Sequence, residues 1–120
     1  MPKTTQKDFT YFKACCQKWI DRFQLNGWQV NYKLIKLNGN QATFNSQYRG
    51  CRASISLDIE LDPADGETIN EMLEGDAQHE VIHLLLCNFS MLASSRFVTE
   101  DEIVKAEEEL VRKLQGIIKG

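Results

Sequence analysis

The stretch VIHLLLCNF, residues 81–89, is apolar on almost every side. It lies in the middle of a longer segment, residues 68–92, that the side-chain pattern assigns to a helix. A helix that is apolar all round belongs in the interior of a domain, where other elements cover each of its faces. The sequence therefore predicts a central helix over about residues 68–92.

Before this helix, apolar and polar side chains alternate, as in strands. The clearest strand is residues 51–61, whose apolar side chains fall at every second position: Cys51, Ala53, Ile55, Leu57, Ile59 and Leu61. Residues 28–34 and 42–48 alternate in the same way, and an Asn-Gly-Asn turn at 38–40 between them favours a hairpin. The pattern predicts a three-stranded, mainly antiparallel sheet with one buried and one wet face.

Helices are also predicted at both ends of the chain. Apolar residues recur at steps of three and four over residues 8–25, which is typical of an amphipathic helix. Thr99 has an N-cap residue type, and Glu102 follows three residues later as its capping-box partner. The last helix is therefore expected to begin after Thr99 and to run to about residue 118.

Length and composition indicate one α+β domain over residues 1–120. The chain has 120 residues, 42% of them hydrophobic, which is enough for one core. Its net charge is −3 and its 14 Lys and Arg residues are scattered, so no basic stripe is available for nucleic acid. No apolar run approaches the roughly 20 residues of a membrane span, and the N-terminus lacks the apolar core of a signal peptide. We therefore expect a cytoplasmic protein, with no membrane or nucleic-acid partner.

The four cysteines are expected to be reduced and structural. They show no CxxC pairing, and the adjacent Cys15 and Cys16 point in different directions on a helix. This arrangement suits thiols better than a disulfide framework.

The chemistry of the chain is concentrated in His79-Glu80-Val81-Ile82-His83, an HExxH motif inside the predicted central helix. A spacing of four places both imidazoles on one helix face, where they can bind one zinc ion at about 2.0–2.1 Å. Glu80 lies about 100° further around the helix than His79, in reach of a metal-activated water. The motif predicts two zinc ligands and a general base for hydrolysis.

A polar cluster or a solvated helix face is the other interpretation of these residues. HExxH is expected by chance on the order of once in a few hundred chains of this length. Both histidines also lie beside the apolar VIHLLL segment, where burying unpaired imidazoles is costly. The metal site is therefore the favoured hypothesis.

Zinc needs a further protein ligand, and the chain contains only two histidines. The last helix carries an apolar stripe composed of Ile103, Leu110, Val111, Leu114 and Ile117. A projection at 100° per residue puts Glu107 near the middle of this stripe, which makes it the candidate third ligand. Glu108 is the second candidate. Cys87, one turn after His83, is interpreted as core, because three ligands over two turns of one helix would splay around a small ion.

The order helix, three strands, HEVIH helix and glutamate-bearing helix resembles small phage and prophage zincin-like metallopeptidases, of the SprT-like or minimal gluzincin kind. The specific residues are His79, Glu80 and His83, and the segment AEEELVRKL at 106–114 resembles the third-ligand helix of gluzincins. The resemblance implies a zinc metallopeptidase with Glu107 as third ligand. It also implies that the strand before the HExxH helix is the sheet edge that binds a peptide substrate.

Such peptidases also place a donor to stabilise the oxyanion of the transition state. No third histidine is available, and the sequence does not separate the remaining candidates, which are Tyr32, Tyr48, Arg49 and Arg96. The zinc-ribbon CxxC segment of larger SprT-like proteins is absent from the sequence.

Two classes of function therefore stay open. The first is a peptidase that acts on one or a few proteins or peptides, which the presence of Glu80 favours. The second is a zinc-binding regulatory or protein-interaction module with little or no hydrolytic activity. A hydrolase of nonpeptide amides would use the same residues as the peptidase.

Overall fold

A computed structural model describes residues 2–39, 41–47, 51–94 and 98–119. In chain order its elements are α1 (Gln6–Arg22), β1 (Gln29–Ile35), β2 (Ala42–Gln47), β3 (Arg52–Asp58), α2 (Ile69–Ser94) and α3 (Glu100–Lys119). The α+β class and the predicted order of helices and strands are confirmed. Asn40 in the predicted turn and Tyr48 at the end of the second predicted strand lie outside the described residues.

The sheet is mixed, and its strand order is β1-β3-β2. β1 pairs with β3 in parallel, whereas β2 pairs with β3 antiparallel. The predicted hairpin between β1 and β2, and with it the mainly antiparallel sheet, is therefore wrong. The physical reason lies in β3, whose Ala53, Ile55 and Leu57 are at most 3% exposed. The strand with the most deeply buried side chains takes the centre, where neighbours cover it on both sides.

α1 begins and ends earlier than residues 8–25. The Thr5 hydroxyl accepts a hydrogen bond from the Asp8 N–H at 3.0 Å, and the Asp8 carboxylate accepts one from the Thr5 N–H at 3.0 Å. This reciprocal capping box starts the helix at Gln6. At the other end Gln24 adopts a left-handed φ of 58°, and the Leu25 N–H donates to the Ile20 carbonyl at 2.9 Å. This closure resembles a Schellman motif and ends the helix before Asn26.

α1 and α2 pack on the same face of the sheet, and the core lies between these two helices and the sheet. Its fully enclosed side chains include Phe12, Cys16, Ile55, Leu57, Leu61, Leu73, Val81 and Leu84. α2 also contacts β2 and α3, which confirms its central position. Its apolar segment is not covered on every face, however, since Ile82 and Leu86 are each 38% exposed. On the opposite face of the sheet Asn31, Lys33 and Asn45 are exposed, as the alternation predicts, whereas Ser56 on that face is only 7% exposed.

α3 begins as predicted but is rotated relative to the predicted stripe. The Thr99 hydroxyl accepts a hydrogen bond from the Glu102 N–H at 3.2 Å, which confirms Thr99 as the N-cap. Ala106 is 4% exposed, whereas Val111 and Leu114 are 50% and 44% exposed. The face of α3 that packs on the domain is therefore centred closer to Ala106 than to Glu107.

Two residues of the predicted buried strand face are exposed in the structure. Cys51 and Ile59 were expected on the buried strand face, but Cys51 is exposed and Ile59 is 39% exposed. Cys51 precedes β3 and has a left-handed φ of 48°, which takes it out of the strand's alternation.

Among the described residues, no helix is both long enough and apolar enough to cross a membrane.

Candidate metal centre

The imidazoles of His79 and His83 converge on one side of α2. Their Nε2 atoms are 3.3 Å apart, and the ring planes are inclined by 76° with centroids separated by 4.9 Å. Two nitrogen ligands at about 2.0–2.1 Å from a tetrahedral zinc ion are about 3.3–3.4 Å from each other. The Nε2 pair therefore has the separation that zinc ligation requires.

Glu80 completes a group that could hold a metal ion. One ligand atom each from His79, Glu80 and His83 lies within 4.8 Å of the others. The environments of the three side chains differ from those expected from the sequence, since both histidines are exposed and Glu80 is only 4% exposed. The group that loses hydration free energy on burial is therefore the Glu80 carboxylate and not the two imidazoles.

The surroundings of Glu80 raise the pKa of its carboxyl above the ordinary value. Burial raises the pKa of the Glu80 carboxyl, the nearby imidazoles of His79 and His83 oppose this shift, and the charge of Asp76 adds to it. Burial also raises the pKa of Asp76, with a further contribution from the charge of Glu67 and an opposing one from His79. A carboxylate whose pKa is raised is a stronger base than an ordinary one, which suits it to accept and return a proton.

These shifts predict how pH affects the stability of the metal-free chain. Because the folded state holds the Glu80 proton more tightly than the unfolded state does, it binds more protons between the ordinary and the raised pKa. The free energy of unfolding contributed by this group therefore falls as pH rises through that window. We expect Glu80→Gln to stabilise the metal-free chain relative to wild type, and to do so more at about pH 7 than at about pH 4.

Urea unfolding of both proteins in the presence of a chelator measures this difference. Glu74→Gln is the matched control, because it removes one carboxylate from the exposed face of the same helix. A difference between Glu80→Gln and wild type that does not change with pH would contradict the raised pKa.

A cleft of about 380 Å³ opens beside the group. Gly39 and Gln41, which precede β2, line it together with Ala42 at the start of that strand, and Asp76, His79 and Glu80 line it from α2. The His83 ring also stacks on Phe44 of β2, with centroids 5.9 Å apart and planes inclined by 13°. β2 thus lies beside the imidazoles, and Glu80 is part of the lining of the cleft.

The structure does not bring Glu107 into this group. Glu107 and Glu108 are both exposed on α3, and neither is a member of the one potential metal-binding group found among the described residues. The cause is the rotation of α3, which turns Ala106 inward. Glu107 as third ligand stays a prediction. Cys87 also lies outside the group and contacts the Ser46 hydroxyl at 3.3 Å.

Of the four oxyanion candidates, only Tyr32 lies in the described part of the chain. Its hydroxyl is buried and has no hydrogen-bond partner among the described residues. A hydroxyl enclosed in this way is not accessible to a substrate. Tyr48, Arg49 and Arg96 lie outside the described residues.

Two residues of the site were missed by the sequence interpretation. Asp76 precedes His79 by three residues, so helical spacing alone places it on the same side of α2. Phe44 was assigned only to a strand, because its contact with His83 depends on how β2 packs against α2. The first residue was detectable from the sequence, whereas the second was not.

The site must be interpreted from its own geometry. Comparison of the chain with protein-family models, with curated proteins and with solved structures returned no match. The separation of the two Nε2 atoms and the burial of Glu80 therefore carry the functional argument.

Proposed function

We propose that this chain is a zinc-dependent metallopeptidase with a zincin-like fold, in which His79 and His83 bind the metal and Glu80 is the general base. The observation that carries the proposal is the 3.3 Å separation of the two Nε2 atoms beside a carboxylate that is 4% exposed. A purely structural zinc site uses four protein ligands and needs no base. A buried carboxylate adjacent to two converging imidazoles is the arrangement expected for hydrolysis.

Zinc is the metal that these ligands suit best. Imidazole nitrogens and carboxylate oxygens are ordinary zinc ligands, and catalytic zinc sites keep one position open. Zinc, when bound, would polarise a substrate carbonyl and lower the pKa of a coordinated water. Glu80 would accept a proton from the attacking water as the new C–O bond forms. It would then pass that proton to the amine nitrogen as the C–N bond breaks.

The substrate strand expected from the sequence needs correction. The strand that precedes the HExxH helix is β3, which is hydrogen-bonded on both sides and has no free edge. In the described part of the chain, β2 pairs only with β3, and its residues Ala42 and Phe44 adjoin the imidazole group. We propose that an extended peptide adds to the outer edge of β2, where backbone hydrogen bonds would hold it beside the metal.

A measurement of metal content and of proteolysis tests the proposal. We expect the purified chain to bind a single zinc ion and to cleave an unfolded protein substrate. Removal of the metal with a chelator should stop cleavage, and added zinc should restore it. Absence of zinc binding at neutral pH would refute the whole proposal, since no other group in the described residues offers a metal site.

The second candidate function is a zinc-binding regulatory or protein-interaction module with little or no hydrolysis. It is favoured by the small ligand set, because the described residues bring together only two imidazoles and one carboxylate. If Glu80 ligated the metal itself, no base would be left. Zinc binding without hydrolysis of proteins would support this module, and hydrolysis of nonpeptide amides alone would indicate a different hydrolase with the same site.

Glu107 is retained in the proposal as the candidate third ligand. If it ligates zinc, Glu107→Ala should weaken zinc affinity by more than the roughly 10–100-fold that is lost when a residue hydrogen-bonded to a ligand is removed. Competition with a chromophoric chelator measures the affinity. Glu109→Ala is the matched control, because Glu109 is exposed on the same helix and its carboxylate pairs with Lys113. Equal affinities for wild type and Glu107→Ala would remove Glu107 from the ligand set.

A further inference from the structure

Asp76 carries a buried oxygen that nothing in the described structure satisfies. Its Oδ2 atom is enclosed by protein and has no hydrogen-bond partner among the described residues. A buried carboxylate oxygen without a partner costs free energy, and native proteins keep few of them. The residue lines the same cleft as His79 and Glu80. An unsatisfied acceptor at this place needs an explanation in terms of the site.

The neighbouring His79 has one ring nitrogen left for a partner. Its Nε2 faces the Nε2 of His83 at 3.3 Å and is therefore the nitrogen that would bind the metal. The other nitrogen, Nδ1, must carry the proton when Nε2 ligates a cation, since a neutral imidazole has one donor and one acceptor. Ligating histidines almost always donate this second N–H to a carboxylate, a carbonyl or a water.

The position of Asp76 on α2 matches that need. Side chains in a helix lean towards its N-terminus, so His79 extends over the turn that contains the residue three positions earlier. That residue is Asp76. Among the described residues that line the cleft, Glu80 is the only other carboxylate, and it already belongs to the metal group.

We propose that Asp76 is the positioning residue of the site, and that its carboxylate accepts a hydrogen bond from His79 Nδ1 when the metal is bound. This inference rests on the proposed metal site. The hydrogen bond would fix the tautomer and the orientation of the His79 ring, and it would increase the basicity of the Nε2 ligand atom. It would also satisfy the buried Oδ2.

A direct ligand role for Asp76 is excluded by helix geometry. Asp76 and His83 are seven residues apart, which corresponds to about 10.5 Å along the helix axis. The short Asp side chain leans away from His83, towards the N-terminus of α2. A zinc ion at about 2.0–2.1 Å from both Nε2 atoms is therefore beyond the reach of the Asp76 carboxylate.

Asp76→Asn tests the proposal, because it keeps the shape of the side chain and removes the charge. We expect its zinc affinity, measured by chelator competition, to fall about 10–100-fold. Glu74→Gln is the matched control, as Glu74 lies two residues away on the exposed side of α2 and accepts a hydrogen bond from the Tyr11 hydroxyl, which Gln can also accept. Its zinc affinity should stay within about twofold of wild type.

A spectroscopic readout separates positioning from a general structural effect. In the zinc-loaded wild type, the Nδ1–H of His79 should give a slowly exchanging NMR signal, which Asp76→Asn should shift and expose to exchange. The His83 ring signals should move less. Unfolding of the metal-free variant serves as a second measurement, and we expect Asp76→Asn to be at least as stable as wild type because it removes a buried unpaired charge.

Each outcome bears on one proposal only. Wild-type affinity and an unchanged His79 signal in Asp76→Asn would overturn the role of Asp76 and leave the metal site intact. A loss of affinity as large as that of His83→Ala would also overturn it, because a residue that only orients a ligand costs less affinity than the ligand itself. A wild-type chain that binds no zinc would instead refute the proposed function.

Discussion

Glu80→Gln is expected to bind zinc as wild type does and to lose nearly all hydrolysis. The amide has almost the size of the carboxylate, but it cannot take a proton from the attacking water. General base catalysis contributes about 10²–10⁴-fold to such reactions, so kcat/KM on an unfolded protein substrate should fall by this factor. The zinc stoichiometry measured beside it should stay the same, because the two imidazoles carry the predicted metal contacts.

Glu74→Gln is the control for this variant as well, since it changes the net charge equally and lies on the exposed side of the same helix. Its kcat/KM should stay within about twofold of wild type. Equal hydrolysis by Glu80→Gln and wild type would remove the peptidase mechanism, while bound zinc in both proteins would leave the zinc-binding module. Loss of both zinc and activity in Glu80→Gln would instead assign Glu80 to the ligand set.

The central helix and its motif were predictable because each rests on short-range information. A run that is apolar on all sides has no place on a surface, and this argument needs no knowledge of the partners of α2. The spacing of His79 and His83 fixes their relative position through helix geometry alone. The structure confirms the central position of α2 and the convergence of the imidazoles, but it leaves Ile82 and Leu86 of the apolar run each 38% exposed.

The strand order was not predictable by the same means. An alternating pattern gives the face that each residue occupies, but it does not say which strands are neighbours. The Asn-Gly turn favoured pairing of β1 with β2, and the insertion of β3 between them is a tertiary effect. The greater burial of β3 was visible in its sequence, since Ile55 and Leu57 lie in the longest alternating run. This correction moves the proposed peptide-binding edge from β3 to β2.

The packing of α3 and the position of Asp76 were also not predicted. The predicted stripe on α3 gave equal weight to Val111 and Leu114, which are exposed, and no weight to Ala106, which is buried. A small side chain such as that of Ala106 allows close helix packing but adds little to an apolar pattern. The buried face of α3 was therefore predicted at the wrong rotation about the helix axis, and Glu107 was predicted closer to the centre of that face than it is. Asp76 was overlooked for a different reason, because an acidic residue in the first half of a helix has an ordinary surface explanation.

His83→Ala is expected to have the largest effect on metal binding. The variant removes one of two converging Nε2 atoms and leaves His79 as a lone imidazole on an exposed helix face. Free zinc at 100 times the dissociation constant should stabilise the wild-type chain by about 2.7 kcal/mol, through preferential binding to the folded state. The same zinc concentration should give His83→Ala almost no stabilisation.

Thermal unfolding with and without zinc measures this difference, and each protein provides its own metal-free reference. Loss of the contact between the His83 ring and Phe44 lowers the stability of the variant in both conditions, so only the zinc-dependent increment reports on ligation. Gln78→Ala is the matched control, because Gln78 is exposed on α2 next to His79 and lies outside the metal group. The control should keep the full increment. An equal increment in His83→Ala would mean that zinc binds elsewhere, and the convergence of the imidazoles would then have no role in the function of the chain.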